Sequence, residues 1–174
     1  MRKFLFASIA FAFLSLCNFA HAQGSFGYSN WNTGFGFGFA PIASSYAPPA
    51  RYDSHIDPSL VRAAKLADAR AGRHSTSRCW HFVKDALVAA GAVRTRPASA
   101  YAIQAGDELM KQHGFVRLKV SNPYNAPIGA VIVYNGFGGA GHVELRTANG
   151  FASDYRSHYA CRTRMVGVYA KLAS

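Results

Sequence analysis

The stretch His113-Gly114-Phe115-Val116-Arg117-Leu118-Lys119-Val120 marks a change of period in the chain. After Gly114, apolar and polar residues alternate, as on a strand with one buried face; before it the spacing is helical. Upstream, a helix over Ser99 to His113 is expected, with Gly114 as its stop. Before that, Cys79, Phe82, Val83, Ala86, Leu87 and Ala90 fall at i, i+3, i+4, i+7, one buried face of a helix beginning near Ser77 and closed by Gly91. Earlier still, Asp57-Pro58 pairs an N-cap with a proline at the first helical position, and Gly72 can end that helix. Downstream, Ala130–Tyr134 is a short buried-type strand, and His142–Thr147, Phe151–Arg156 and Met165–Ala170 alternate. Asn122-Pro123, Gly136 to Gly141 and Asn149-Gly150 supply turns between them. Helices first and strands later predict an α+β fold, with the N-terminal helices packed on a small antiparallel sheet.

Outside this globular pattern the composition differs. Arg2 and Lys3 precede an apolar run from Phe4 to Leu16 and then Ala20-His21-Ala22. A charged start, a short apolar core and an A-x-A site predict a secretory signal peptide over residues 1–22, hence a periplasmic or extracellular protein. Leu16 before Cys17 is too large for a lipoprotein site. No apolar run reaches the roughly 18–20 residues of a membrane-spanning helix. Residues 23–50 carry no charge and mix glycine with aromatic residues and proline, which reads as a low-complexity linker; residues 51–174 form the expected domain.

The 174-residue chain holds 19 Lys+Arg against 8 Asp+Glu, a formal charge of +11. Loss of Arg2 and Lys3 with the signal leaves 11 − 2 = +9. Such an excess calls for an anionic partner. Export argues against nucleic acid, and no stretch interleaves basic and aromatic residues as a single-strand groove would. An anionic cell wall satisfies both charge and location.

The chemistry centres on a cysteine. Cys79 sits at the start of its helix, where unpaired amides and the dipole favour a thiolate. A nucleophilic thiolate needs an imidazole nearby. His142 opens a strand after the glycine loop, and Glu144 and Asp154 are the two carboxylates beyond Glu108. Glu144 shares a strand face with His142. Asp154 shares that face if the loop Ala148-Asn149-Gly150 has three residues, with Gly150 left-handed. On that register Asp154 is the preferred third member and Glu144 the alternative. His81 lies about 200° around the helix from Cys79. His74 is on a loop, and His158 lies beyond the strand. No C-x-x-C or H-x-x-x-H spacing supports a metal site. In a different class of reading, export permits a Cys79–Cys161 disulfide, and the protein is then a non-catalytic wall-binding or envelope module.

The segment Ser77-Arg78-Cys79-Trp80-His81-Phe82-Val83, continuing to Leu87 and Ala89-Ala90-Gly91, resembles the nucleophile helix of the NlpC-type and CHAP cell-wall hydrolases. Pro127 to Tyr134 is similar to the strand before their histidine, and Gly141-His142-Val143-Glu144 to the histidine strand itself. Arg78 stands where the family usually has Asp. The resemblance covers about residues 70 to 170. It implies a compact papain-like cysteine peptidase that cuts peptidoglycan stem peptides, as an endopeptidase or an N-acetylmuramoyl-L-alanine amidase, with no cofactor and no metal. Cys79 is then the nucleophile, His142 the base and Asp154 the third polar residue on the following strand, with Glu144 its alternative.

Overall fold

The computed structural model describes residues 50–174. The expected signal peptide and, but for Ala50, the expected linker lie outside the described residues. Among the described residues, three α-helices precede most of the sheet: α1 (Pro58–Arg70), α2 (Cys79–Ala89) and α3 (Ala105–His113). Six strands follow: β1 (Val116–Leu118), β2 (Val131–Tyr134), β3 (His142–Thr147), β4 (Gly150–Ala152), β5 (Arg156–Ser157) and β6 (Met165–Ala170). They form one sheet in the order β1-β6-β2-β3-β4-β5, with every pair antiparallel. The fold is α+β, with a papain-like arrangement of helices on an antiparallel sheet.

Local chemistry explains the helices. The Asp57 carboxylate accepts the Ser59 N–H at 2.8 Å and Pro58 takes the first helical position, so two of the unpaired donors of the first turn are dealt with. The buried face of α1 is Leu60, Ala63, Ala64 and Ala67, and its three alanines leave room for α2 to pack beside it. Helix α2 buries Val83, Ala86 and Leu87; full burial of a side chain like Leu87 is worth roughly 1.5–3 kcal/mol. Both helices pack against β3. Val131, Val133, Val143 and Leu145 join the helices in one core, while Ile132, Tyr134, Phe151 and Val168 form a second cluster. The alternate residues of β2 thus divide between the two clusters, as strand geometry requires.

Four elements differ from expectation. Helix α2 starts at Cys79 with Arg78 as its N-cap, because Ser77 adopts a left-handed φ of 59°. Helix α3 starts at Ala105 after a 3-10 turn Ala102–Gln104; the N–H groups of Ala98 and Ser99 bond the Glu108 carboxylate instead of a helical turn. The expected strand Phe151–Arg156 is two short strands, β4 and β5, with Asp154 in the bend between them. The β3–β4 connection is the two-residue Ala148-Asn149, with Thr147 opposite Gly150 and Leu145 opposite Ala152.

Candidate active site

The two-residue turn changes the register on which Asp154 was expected to face His142. Continued by two residues from the Leu145–Ala152 pair, that ladder sets Asp154 against Val143, not against Glu144. Its carboxylate, almost fully buried, points elsewhere. Asp154 Oδ2 accepts the N–H of Thr76 at 2.5 Å and of Arg78 at 3.2 Å, and the hydroxyls of Thr76 at 2.9 Å and Ser75 at 3.2 Å. Ser153 Oγ donates to Oδ1 at 3.2 Å. Burial works against the carboxylate, but these hydrogen bonds outweigh it and hold Asp154 below the usual range. Asp154 therefore clamps the turn Ser75–Arg78 that delivers Cys79 to the head of α2. That clamp accompanies the left-handed Ser77, a backbone state costing about 1–3 kcal/mol that persists only where its surroundings enforce it.

Cys79 is half-buried and close enough to His142 for its side chain to favour the charged imidazole. His142 Nε2 lies 3.4 Å from Glu144 Oε2. Glu144 is 2% exposed, and it does not face the ring unsupported. Tyr134 Oη donates to Glu144 Oε1 at 2.6 Å, and the Cys161 N–H approaches the same oxygen at 3.4 Å. Tyr134 sits opposite His142 in the β2–β3 ladder, ring centroids 6.0 Å apart, and Tyr155 covers the imidazole at 6.2 Å. Burial alone would lower the His142 pKa. The Cys79 side chain and the Glu144 carboxylate reverse this and push it up to about 10. The Tyr134 hydroxyl is pushed well above its usual range by burial and by Glu144, so it stays a donor.

A cleft of about 470 Å³ opens at Cys79. One wall is the head of α2, with Arg78, His81 and Lys84; the other is Ala98–Ala102, and Ala140-Gly141 closes one end. The Ala98–Ala102 wall is fixed from behind. Glu108 accepts from Ala98 N at 2.5 Å, Ser99 N at 3.1 Å and Ser99 Oγ at 2.5 Å, and Trp80 Nε1 donates to Ser99 Oγ at 3.0 Å. The Ile103 N–H bonds the Ala140 carbonyl at 3.1 Å, tying the two sides.

Of the remaining candidates, His81 is exposed on the cleft wall, His74 is exposed on its loop, and His158 Nδ1 meets the Asn149 carbonyl at 3.1 Å. Cys79 and Cys161 are free thiols, so the disulfide of the alternative reading is not formed; Cys161 Sγ contacts Thr163 Oγ1 at 3.2 Å. Among the described residues, no three His, Cys, Asp or Glu side chains converge as metal ligands would, and no helix is long and apolar enough to cross a membrane. Sequence reasoning missed Tyr134, Lys84, Ser99 and Glu108. Parity was a usable signal for Tyr134, which ends the strand before the histidine strand. The other three depend on a loop wall that no period announces.

No protein-family model and no curated protein matches the chain. Among solved structures, it is similar to a chain in the crystal structure of the type VI native effector–immunity complex Tae3–Tai3 from Ralstonia pickettii. The two share 20% identity with a TM-score of 0.54, over 64% of this chain and 98% of that one. A chain in the selenomethionine form of that complex gives 22% identity and a TM-score of 0.45, over 55% and 80%. The first of these shows a shared fold.

Proposed function

We propose that the protein is an exported peptidoglycan hydrolase that cleaves stem-peptide amide bonds through a cysteine thiolate. The observation that carries this reading is a helix-head cysteine that lines a cleft, with a nearby imidazole backed by a buried carboxylate. The resemblance of the Cys79 and His142 segments to NlpC-type and CHAP hydrolases supports the substrate class, as does the fold shared with a chain of the Tae3–Tai3 effector–immunity complex. Residues 1–22 are proposed to direct export, residues 23–50 to serve as a linker and residues 51–174 to hold the chemistry.

In this mechanism Nε2 of His142 is engaged by Glu144, which leaves Nδ1 for the thiol. His142 takes the Cys79 proton, and the sulfur attacks the scissile carbonyl carbon. The oxyanion collects at the head of α2, where the Cys79 N–H is one donor. Collapse of the intermediate breaks the C–N bond, and the imidazolium passes its proton to the leaving amine. Water, deprotonated by His142, then cleaves the thioester and restores the thiol. Glu144 is the proposed third member, since it fixes the imidazole in one tautomer and stabilises its charged form. Asp154 acts through Cys79, as the clamp on the turn that presents it. Replacing Cys79 with Ala should abolish peptide release from purified sacculi, as read by mass spectrometry. Turnover equal to that of the unaltered protein would exclude Cys79 as nucleophile.

A further inference from the structure

The nucleophile helix carries a second charged group into the same cleft. Lys84 lies one turn beyond Trp80 and is 5% exposed, yet it lines the cleft together with Cys79. A buried ammonium is costly unless its donors are engaged and its charge is balanced. Lys84 Nζ donates once, to the Ser99 carbonyl at 2.5 Å, and stands 5.0 Å from the centroid of the Trp80 ring. An ammonium has three donors. Among the described residues Lys84 enters no ion pair. Asp85 and Glu108 attract it from farther away and Arg96 repels it. Glu108 itself is spent on Ala98 and Ser99. The cleft offers no carboxylate of its own: its charged and titratable lining is Arg78, Cys79, His81, Lys84 and Tyr101.

We propose that Lys84 is a specificity-determining residue that receives a free substrate carboxylate neighbouring the scissile amide, so that the cleft selects acidic over amidated peptides. This deepens the hydrolase reading and rests on it for the identity of the peptide. The cationic lining attracts the acid, and Lys84 supplies a charge-assisted bond for which a carboxylate and a carboxamide differ. The Ser99 carbonyl and the Trp80 ring hold the ammonium in place beforehand, so little side-chain freedom is lost on binding.

The test uses the full chain with Cys79→Ala, so that binding is read without turnover. The probes are N-acetylmuramoyl-L-alanyl-γ-D-glutamyl-L-lysine and the same molecule with the glutamyl α-carboxylate amidated, titrated by calorimetry. The free acid should bind roughly tenfold more tightly, the scale of one hydrogen bond to a charged group. Adding Lys84→Met, which keeps the stem packed on Trp80, should bring the two affinities within about twofold of each other. Equal affinity for both probes, binding of neither, or a preference that survives Lys84→Met would each overturn the proposal. If Lys84→Met does not fold, the 15N signal of the Lys84 ammonium replaces it: it should move with the acid and stay with the amide, and the reverse overturns the assignment. Cleavage by the protein with Cys79 intact is read separately. Carboxylate-dependent binding without any cleavage would remove the hydrolase and leave the Lys84 site standing.

Discussion

The two carboxylates near His142 have different hydrogen-bond partners, and the proposed mechanism gives them different work. Glu144 meets His142 Nε2 at 3.4 Å and is held by Tyr134, whereas the Asp154 bonds go to Ser75–Arg78 and Ser153. Glu144→Gln should therefore lower turnover by orders of magnitude with the fold retained, as for other triads that lose their orienting acid. Asp154→Asn removes acceptors from a buried turn and should lower stability by about 1–3 kcal/mol, with lost activity following from a misplaced Cys79. Urea denaturation beside kcat on soluble muropeptides separates the two; a stable, inactive Asp154→Asn beside an active Glu144→Gln would restore Asp154 as the orienting acid. The pH dependence has opposite signs at the two sites. The pKa of His142 is raised from 6.5 to about 10, so its contribution to stability is complete below about pH 6.5 and is lost as the pH rises toward 10. That of Asp154 is lowered from 3.8, so its contribution is present above about pH 4 and is lost as the pH falls through its folded value. In urea midpoints measured across pH, His142→Asn should flatten the alkaline limb and Asp154→Asn the acid limb. An alkaline limb unchanged by His142→Asn would assign that limb to other groups.

At the scale of elements, close approach decides where propensity alone would mislead. Gly106 lies in the first turn of α3, where alanine is intrinsically better by about 1 kcal/mol. A Cβ there would meet the ring of Tyr169 on β6 well inside van der Waals distance. Tyr169 is 3% exposed and part of the helical core, so the ring has no free space to enter. Overpacking of this kind costs about 1–3 kcal/mol, more than the propensity gain. Gly106→Ala is expected to lower the thermal midpoint, as measured by calorimetry, and an unchanged or higher midpoint would show that α3 can move off the sheet. The same contrast explains what was legible in the sequence. The buried face of α2, the cap Asp57-Pro58, the stop at Gly114 and the span His142–Thr147 follow from local chemistry, so their patterns could be read directly. The start of α3 and the length of the β3–β4 turn depend on distant partners. Ala98 and Ser99 answer to Glu108, and Gly150 pairs with Thr147 instead of serving the loop. A one-residue difference in that turn reverses the parity of all that follows, which is why the face expected of Asp154 is not the face observed.

For the whole molecule, charge is arranged so that it is not spent internally. Apart from Arg146, one ion pair among the described residues joins an Arg or Lys to a carboxylate, Arg96 to Asp85 at 2.9 Å. Asp57 caps α1, Asp68 bonds Asn149 and Asp53 bonds His55, while Asp107 is exposed in the first turn of α3. Glu108, Glu144 and Asp154 are buried. Of the 19 Lys+Arg in the chain, Arg2 and Lys3 lie outside the described residues; the other 17, apart from the buried Lys84 and Arg146, are thus left to act outward. A field of that sign concentrates the protein on an anionic polymer and speeds encounter, without changing the bond-breaking step. It also makes association the salt-sensitive quantity. Raising ionic strength from about 0.1 M to about 1 M shortens the Debye length from about 10 Å to about 3 Å. Co-sedimentation of Cys79→Ala protein with sacculi should fall by about tenfold or more across that range. The kcat of the unaltered protein on a short soluble muropeptide should change by less than about twofold, because the chemistry proceeds among groups already sheltered from the ions. Retention of sacculus binding at high salt would place the affinity in apolar contacts and remove the proposed part played by the positive charge.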